Sequence, residues 1–223
     1  ILRIIRSMFK VGVGCNFFDD PHGLKRLLDS GNLYDFVHTI YLIDGRYAQR
    51  TDEPEHDPAL VDCIIKQYEK IHYVKMFDYK QIDKRNKYWE LAQEQNMDFM
   101  LVLDSDEYAI IEPDVFQKSL ETCWTRPASC FPLWQDHPQV TEMPRPRLFK
   151  KPFDFRHIES QTTISHGSLW RGKTEIINEM YEWFKDHPKR TGVPGIKLYH
   201  DKKYRSESRI IKDRIYYDEN KHR

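Results

Sequence analysis

The sequence predicts an α/β fold, a mostly parallel sheet flanked by helices and followed by an irregular C-terminal elaboration. Three observations carry this reading. Strand-like and helix-like segments alternate between residues 8 and 112, the pattern of a parallel sheet with crossover helices. The strand-like segments are near-continuous apolar runs, as expected of strands covered on both faces. After Glu112, prolines at 113, 127, 132, 138, 144, 146, 152, 188 and 194 interrupt any long periodic pattern.

Residues 8–14 (MFKVGVG) read as a first buried strand running into a tight loop. Leu24, Leu27 and Leu28 mark a helix over residues 23–33 by their spacing. Residues 37–43 (VHTIYLI) are β-branched and aromatic, and the turn pair Asp44-Gly45 closes them. Leu60, Val61, Ile64, Ile65 and Tyr68 share one helical face over residues 57–70, with Pro58 suited to the first turn. Residues 71–77 read as a third strand, and residues 83–95 as a helix with Asp83 at its N-cap. Residues 99–103 (FMLVL) are an unbroken apolar strand. In the second half, a helix over 173–185, a loop over 186–195 and a strand over 196–200 precede a basic, Tyr-rich tail.

Composition narrows the classes. Thirteen Tyr, twelve Phe and five Trp argue for a packed core and against disorder. No apolar run approaches the ~20 residues that span a bilayer. Arg6 and Lys10 interrupt the opening apolar segment, which therefore does not read as a signal peptide. The four cysteines, at 15, 63, 123 and 130, form no C-x-x-C pair, and there is no N-x-S/T sequon. Cys15, Cys63 and Cys123 read as buried thiols, and the expectation is a reduced, cytoplasmic protein. The net charge of zero argues against a nucleic-acid partner. That zero hides an asymmetry, because residues 1–144 hold 16 basic and 24 acidic side chains and residues 145–223 hold 19 and 11.

Right-handed crossovers bring all the parallel strands' carboxyl ends to one edge, where open α/β sheets bind ligands. The segments expected there are 12–20, 44–51, 77–84 and 104–108. The last contains Asp104-Ser105-Asp106-Glu107, directly after the FMLVL strand. Carboxylates spaced i, i+2 at a strand end repel each other unless a cation neutralises them. Mg²⁺ or Mn²⁺, bound by one or two carboxylates and completed by phosphate oxygens and water, meets that need.

The block Lys84-Arg85-Asn86 opening a helix, then Asn96-Met97-Asp98, then FMLVLDSDE resembles the GT-A glycosyltransferases, most closely the family-2-like group. The resemblance covers residues 9–112 and includes the Asp44-Gly45 turn and the first strand leading into 12–16. It implies a Rossmann-like GT-A domain over residues 1–223, with a nucleotide-sugar-binding half (1–112) and an acceptor-side half (113–223). The function implied is metal-dependent transfer of a sugar from a nucleotide-diphosphate donor, a UDP-sugar first, to a glycan, lipid or protein acceptor, with inversion. Carried over residue by residue, Asp106 is a metal ligand, and Asp104 holds the ribose or the metal. Asp44 faces the base and Lys84 the nucleotide. His200 is a late histidine ligand suited to Mn²⁺, and Arg205, in the basic cluster after it, is placed over the diphosphate. The arginines of Arg145-Pro146-Arg147-Leu148-Phe149 match a segment near the acceptor side. Asp136 and Glu159 are the candidates for the base that deprotonates the acceptor hydroxyl.

Three other classes share parts of this pattern. A haloacid-dehalogenase-type phosphatase also ends an apolar strand in D-x-D, but near the N-terminus and continued by Thr or Val and Gly. A nucleotidyltransferase shares the sheet, but its Gly-rich first loop with a following Arg is missing. The third is a non-catalytic nucleotide-sugar-binding module.

Overall fold

The computed structural model describes residues 9–18, 20–46, 48, 58–125, 128–135, 141–153 and 193–200. Four strands, β1 (Val11–Phe17), β2 (Thr39–Asp44), β3 (Ile71–Lys75) and β4 (Phe99–Asp104), lie side by side in the order β3-β2-β1-β4, all parallel. Helices α1 (Pro21–Asp29) and α2 (Leu33–Phe36) connect β1 to β2, α3 (Pro58–Ile65) connects β2 to β3, and α4 (Gln81–Glu94) connects β3 to β4. Side chains alternate along β1. Val11, Val13, Cys15 and Phe17 join one core with Leu24, Leu27 and Leu28 of α1, Leu33 of α2 and Val61 and Ile64 of α3. The other face packs against α4 through Tyr41, Ile43, Tyr88, Trp89, Met100 and Val102. Gly14 faces that helix, and a Cβ there would lie 2.7 Å from the Tyr88 ring. The glycine is what lets α4 sit this close to the sheet.

Element limits differ from the sequence expectation for local reasons. α1 begins at Pro21 because the Asp20 side chain accepts the Gly23 N–H (3.0 Å). It stops at Asp29, and Gly31 turns the chain at φ +57 before α2 restarts. α3 ends at Ile65, short of residue 70. Lys70 instead donates its N–H to the Tyr34 hydroxyl and its ammonium to the Tyr34 carbonyl, which fixes the entry to β3. α4 starts two residues earlier than expected, so Asp83 sits in the first turn rather than at the N-cap. Cys63 is exposed, contrary to expectation, on the outer side of α3.

The proline-rich half is more regular than its sequence suggests. β5 (Glu107–Ile111), α5 (Pro113–Cys123), β6 (Ala128–Gln135), β7 (Thr141–Lys150) and β8 (Ile196–His200) extend the same sheet to eight strands, ordered β3-β2-β1-β4-β7-β6-β8-β5. Pro113 occupies the first turn of α5, where a missing N–H costs nothing. Pro132 and Pro146 lie where the β6–β7 register shifts, and bulges are where strands tolerate proline. Four of the seven strand pairs are parallel, so the sheet is mostly parallel with an antiparallel extension. The expected helix at 173–185, most of the expected loop at 186–195 and the tail beyond 200 lie outside the described residues.

The order of the strands forces a curl. β5 stands four strand steps from β4, roughly 19 Å away in a flat sheet at about 4.8 Å per step. Yet only Ser105 and Asp106 separate β4 from β5, a reach of at most about 11 Å for three Cα steps. β7 resolves this by pairing with β4 only over Phe99–Leu101 and with β6 along most of its length. The antiparallel strands leave the plane of β4 and return β5 to it, so the Asp104–Glu107 turn bridges the mouth of the curl.

Candidate functional site

The carboxyl ends of β1, β2 and β4 meet at this mouth, and the antiparallel strands deliver further ends to it. In register across the sheet, Asn16 stands beside Asp104, and Phe17 beside Asp44. His200 ends β8 opposite Glu107 at the start of β5 and beside Gln135 at the end of β6. Residues from Asn16 to His200 thus converge on one edge.

Two carboxylates of the Asp104-Ser105-Asp106 turn have different surroundings. Asp106 is buried, and His200 Nε2 lies 2.7 Å from its Oδ2. The side chain of Asp104 is 21% exposed and stands between two arginines. Arg85 of α4 donates to its Oδ1 (3.1 Å), and Arg147 of β7 approaches its Oδ2 (3.7 Å). Arg147 also donates to Glu107 and, at 3.4 Å, to the Val102 carbonyl. Glu107 in turn accepts the backbone N–H of Asp104 through Oε2 (2.9 Å). Burial opposes the charge on Arg147, but the facing Glu107 and Asp104 carboxylates outweigh it and raise its pKa. The turn is therefore set in an alternating chain of cations and anions, Arg85, Asp104, Arg147 and Glu107.

Lys84 and Asp44 occupy the floor of the crevice. The Lys84 side chain is fully buried, and its ammonium donates to the Gly45 carbonyl and reaches the Phe17 carbonyl at 3.5 Å. It ties the ends of β1 and β2 together from beneath. Asp44 is equally buried and accepts a hydrogen bond from the Tyr73 hydroxyl. Burial and this carboxylate push the Tyr73 phenol well above its ordinary value. Neither amide atom of the buried Asn16 has a hydrogen-bond partner among the described residues. Beneath the turn, burial and the Asp104 and Glu107 carboxylates push the Cys15 thiol well up.

The structure thus gathers Asp44, Lys84, Asp104, Asp106 and His200 at one edge. Asp136, Glu159 and Arg205 lie outside the described residues. Glu107, Arg85 and Asn16 were not singled out in the sequence. The signals available were a third carboxylate directly after the D-x-D and a second cation directly after Lys84. Arg147, matched in sequence to an acceptor-side segment, stands against the D-x-D turn. Among the described residues no group of three or more His, Cys, Asp or Glu side chains is placed to hold a metal ion. No helix among them is long and apolar enough to cross a membrane.

No protein-family model matches the chain, and no curated protein matches it in sequence. Solved structures resemble it in fold. TarS of S. aureus, residues 1–349, superposes with a TM-score of 0.41 at 12% identity, over 61% of this chain and 38% of that one. The same TarS fragment in complex with UDP-GlcNAc gives 0.41 and 12%, over 60% and 37%. The 4-diphosphocytidyl-2C-methyl-D-erythritol synthase of Anaerococcus prevotii gives 0.46 at 12% identity, over 94% and 96%. The chain spans little more than a third of the TarS fragment's length. Likeness at this level concerns the arrangement of strands and helices, and assigns neither ligand nor reaction.

Proposed function

We propose that the chain is a nucleotide-diphospho-sugar transferase whose donor lies across the carboxyl edge of β1, β2 and β4. The observation that carries the proposal is the pairing of Asp106 with His200, 94 residues apart in sequence, at the mouth where the Asp104–Glu107 turn bridges the curl. A buried carboxylate and an imidazole make a two-donor set. That suits Mn²⁺ or Mg²⁺, which take one or two carboxylates and complete their shell from the donor's phosphates and water. Two protein donors fit this role, and the imidazole favours Mn²⁺. When bound, the ion neutralises the negative charge that builds on the diphosphate as the glycosidic bond breaks.

The chain's own residues supply the rest. Asp104 stands between Arg85 and Arg147 with its side chain 21% exposed, which suits acceptance of hydrogen bonds from ribose hydroxyls. A carboxylate clamped by two guanidiniums is a poor nucleophile, which argues against the phosphatase reading. Asn16, buried with donor and acceptor to spare, is positioned in register with Asp104 to pair with a polar edge of the nucleoside. Lys84 ties the ends of β1 and β2 through the Phe17 and Gly45 carbonyls, Asp44 accepts from Tyr73 of β3, and both form the floor on which the nucleotide lies. Asp136 and Glu159 are the candidates for the base that deprotonates the acceptor hydroxyl. Arg205 completes the proposal as a cation over the diphosphate.

A thermal-shift screen of nucleoside diphosphates and their sugars, with and without Mn²⁺, tests this reading. A ligand at a hundred times its Kd adds about 2.7 kcal/mol of stability. For a chain of this size that is a Tm rise of roughly 5–10 °C. The expected result is a Mn²⁺-dependent rise with one diphosphate sugar. A rise with nucleoside triphosphates alone would replace sugar transfer by nucleotidyl transfer, and no rise with any nucleotide would end both.

A further inference from the structure

We infer that the buried Glu107–Arg147 ion pair is the positioning device of the D-x-D turn, joining its two ends across the mouth of the curled sheet. This inference rests on the ligand-binding role proposed for that turn. The turn has no ladder partner of its own, because β4 and β5, which it connects, are not hydrogen-bonded neighbours. Something else must hold its entry and exit together. Glu107, the first residue of β5, reaches back across the turn, and its Oε2 accepts the Asp104 N–H at 2.9 Å. Its other oxygen accepts from Arg147, which arrives from β7, the strand that diverges between β4 and the rest of the extension. Arg147 donates in the same posture to the Val102 carbonyl at the end of β4 and faces Asp104 at 3.7 Å. One guanidinium thus contacts the last turns of β4, the first residue of β5 and the D-x-D itself.

Both partners are almost fully buried, with side-chain exposures of 4% for Arg147 and 2% for Glu107. A buried ion pair is weak as a source of stability, because desolvation offsets most of the attraction. Its use here is geometric. A guanidinium that donates through one terminal nitrogen to Glu107 and through the other to the Val102 carbonyl, and a carboxylate that accepts through both oxygens, tie the two strand ends at fixed distances. The hydrophobic contacts around them do not. Asp106, two residues from Asp104 and one from Glu107, takes its position opposite His200 from this brace. Glu107 and Arg147 are positioning residues, acting on ligands only through Asp104 and Asp106.

The test compares the wild type with Glu107→Gln and with the double variant Glu107→Gln/Arg147→Met, which removes both charges and leaves no orphan ion. Three quantities are read: the urea midpoint, the exchange rate of the Asp104 amide hydrogen, and the affinity for Mn²⁺ alone, followed by its EPR signal. In the wild type the Asp104 amide is expected to exchange at least a hundredfold more slowly than an unstructured one. In a variant that retains a cooperative urea transition, that protection and the Mn²⁺ affinity are each expected to fall at least tenfold. A merely structural pair would move the urea midpoint and leave the Mn²⁺ affinity of the folded protein unchanged. Fast exchange of the Asp104 amide in the wild type overturns the inference without need of any variant. So does unchanged protection in a folded variant. Wild type that binds no Mn²⁺ but shows a protected amide lost in the variants would contradict the proposed function while leaving the brace in place.

Discussion

Lys84 carries its charge into the interior, and its ammonium meets the carbonyls of Phe17 and Gly45 there. Lys84→Met would strip the Gly45 carbonyl of its side-chain donor, whereas the Phe17 carbonyl keeps the Gly45 N–H. One buried carbonyl left without a donor costs about 1–3 kcal/mol, the loss expected in urea unfolding. His38 makes a second residue-level prediction. Burial, then the nearby Lys10 and Lys70, lower its pKa, and its Nδ1 accepts the Val11 N–H at 3.3 Å, which only the neutral ring can do. The folded state therefore binds this proton less readily than the unfolded one, whose imidazole titrates near 6.5. His38's contribution is present above pH 6.5 and is lost as the pH falls below it toward the folded value. Unfolding midpoints measured from pH 8 to pH 5 should show this slope, and His38→Gln should flatten it. At this scale the sequence was informative about residue type and poor about direction. Lys84 and Asp44 were visible as charged residues at strand ends. Nothing in a linear string says that a lysine points down onto carbonyls instead of up toward a ligand.

α5 and β8 lean on one glycine. Gly195 has φ +83, and a Cβ there would lie 2.3 Å from the Phe116 amide nitrogen. Its carbonyl accepts the Glu112 N–H at 2.7 Å, so the loop before β8 is pinned to the start of α5. Gly195→Ala should cost at least ~2 kcal/mol, combining a left-handed backbone with an overpacked contact. Calorimetric Tm measurements would register it, and a change within ±0.5 kcal/mol would contradict the packing described. At the start of α1, Asp20→Ala removes the cap on the Gly23 N–H and should cost about 1 kcal/mol by urea unfolding. Elements of the first half were legible because their cores are local: leucines at helical spacing, apolar runs and turn pairs. β6 and β7 were not, because prolines that usually end strands sit here at register shifts, which only the pairing partner reveals. Helix ends were misread wherever a tertiary bond decided them, as Lys70 and Tyr34 do beyond α3.

For the whole molecule, the unequal charges of the two halves acquire a partial explanation. The acidic half ends β2 and β4 in Asp44 and Asp104 and sets Asp106 in the turn that follows, and the basic half sends Arg147 and His200 to the same edge. Arg147 enters through β7 and His200 through β8, so the antiparallel extension brings a guanidinium and an imidazole to carboxylates on and next to the parallel strands. That meeting was foreshadowed by the composition, but its geometry depends on the curl, which follows from strand order and is invisible in any local pattern. In the proposed function the Asp106–His200 pair at this edge binds a nucleotide diphosphate with a divalent cation. Calorimetric titration of UDP into the wild type and Asp106→Asn, each with and without Mn²⁺, measures this. The expected result is saturable binding that requires Mn²⁺ and weakens at least tenfold in a folded Asp106→Asn protein. Equal UDP affinity in the two proteins, or wild-type affinity indifferent to Mn²⁺, would contradict it.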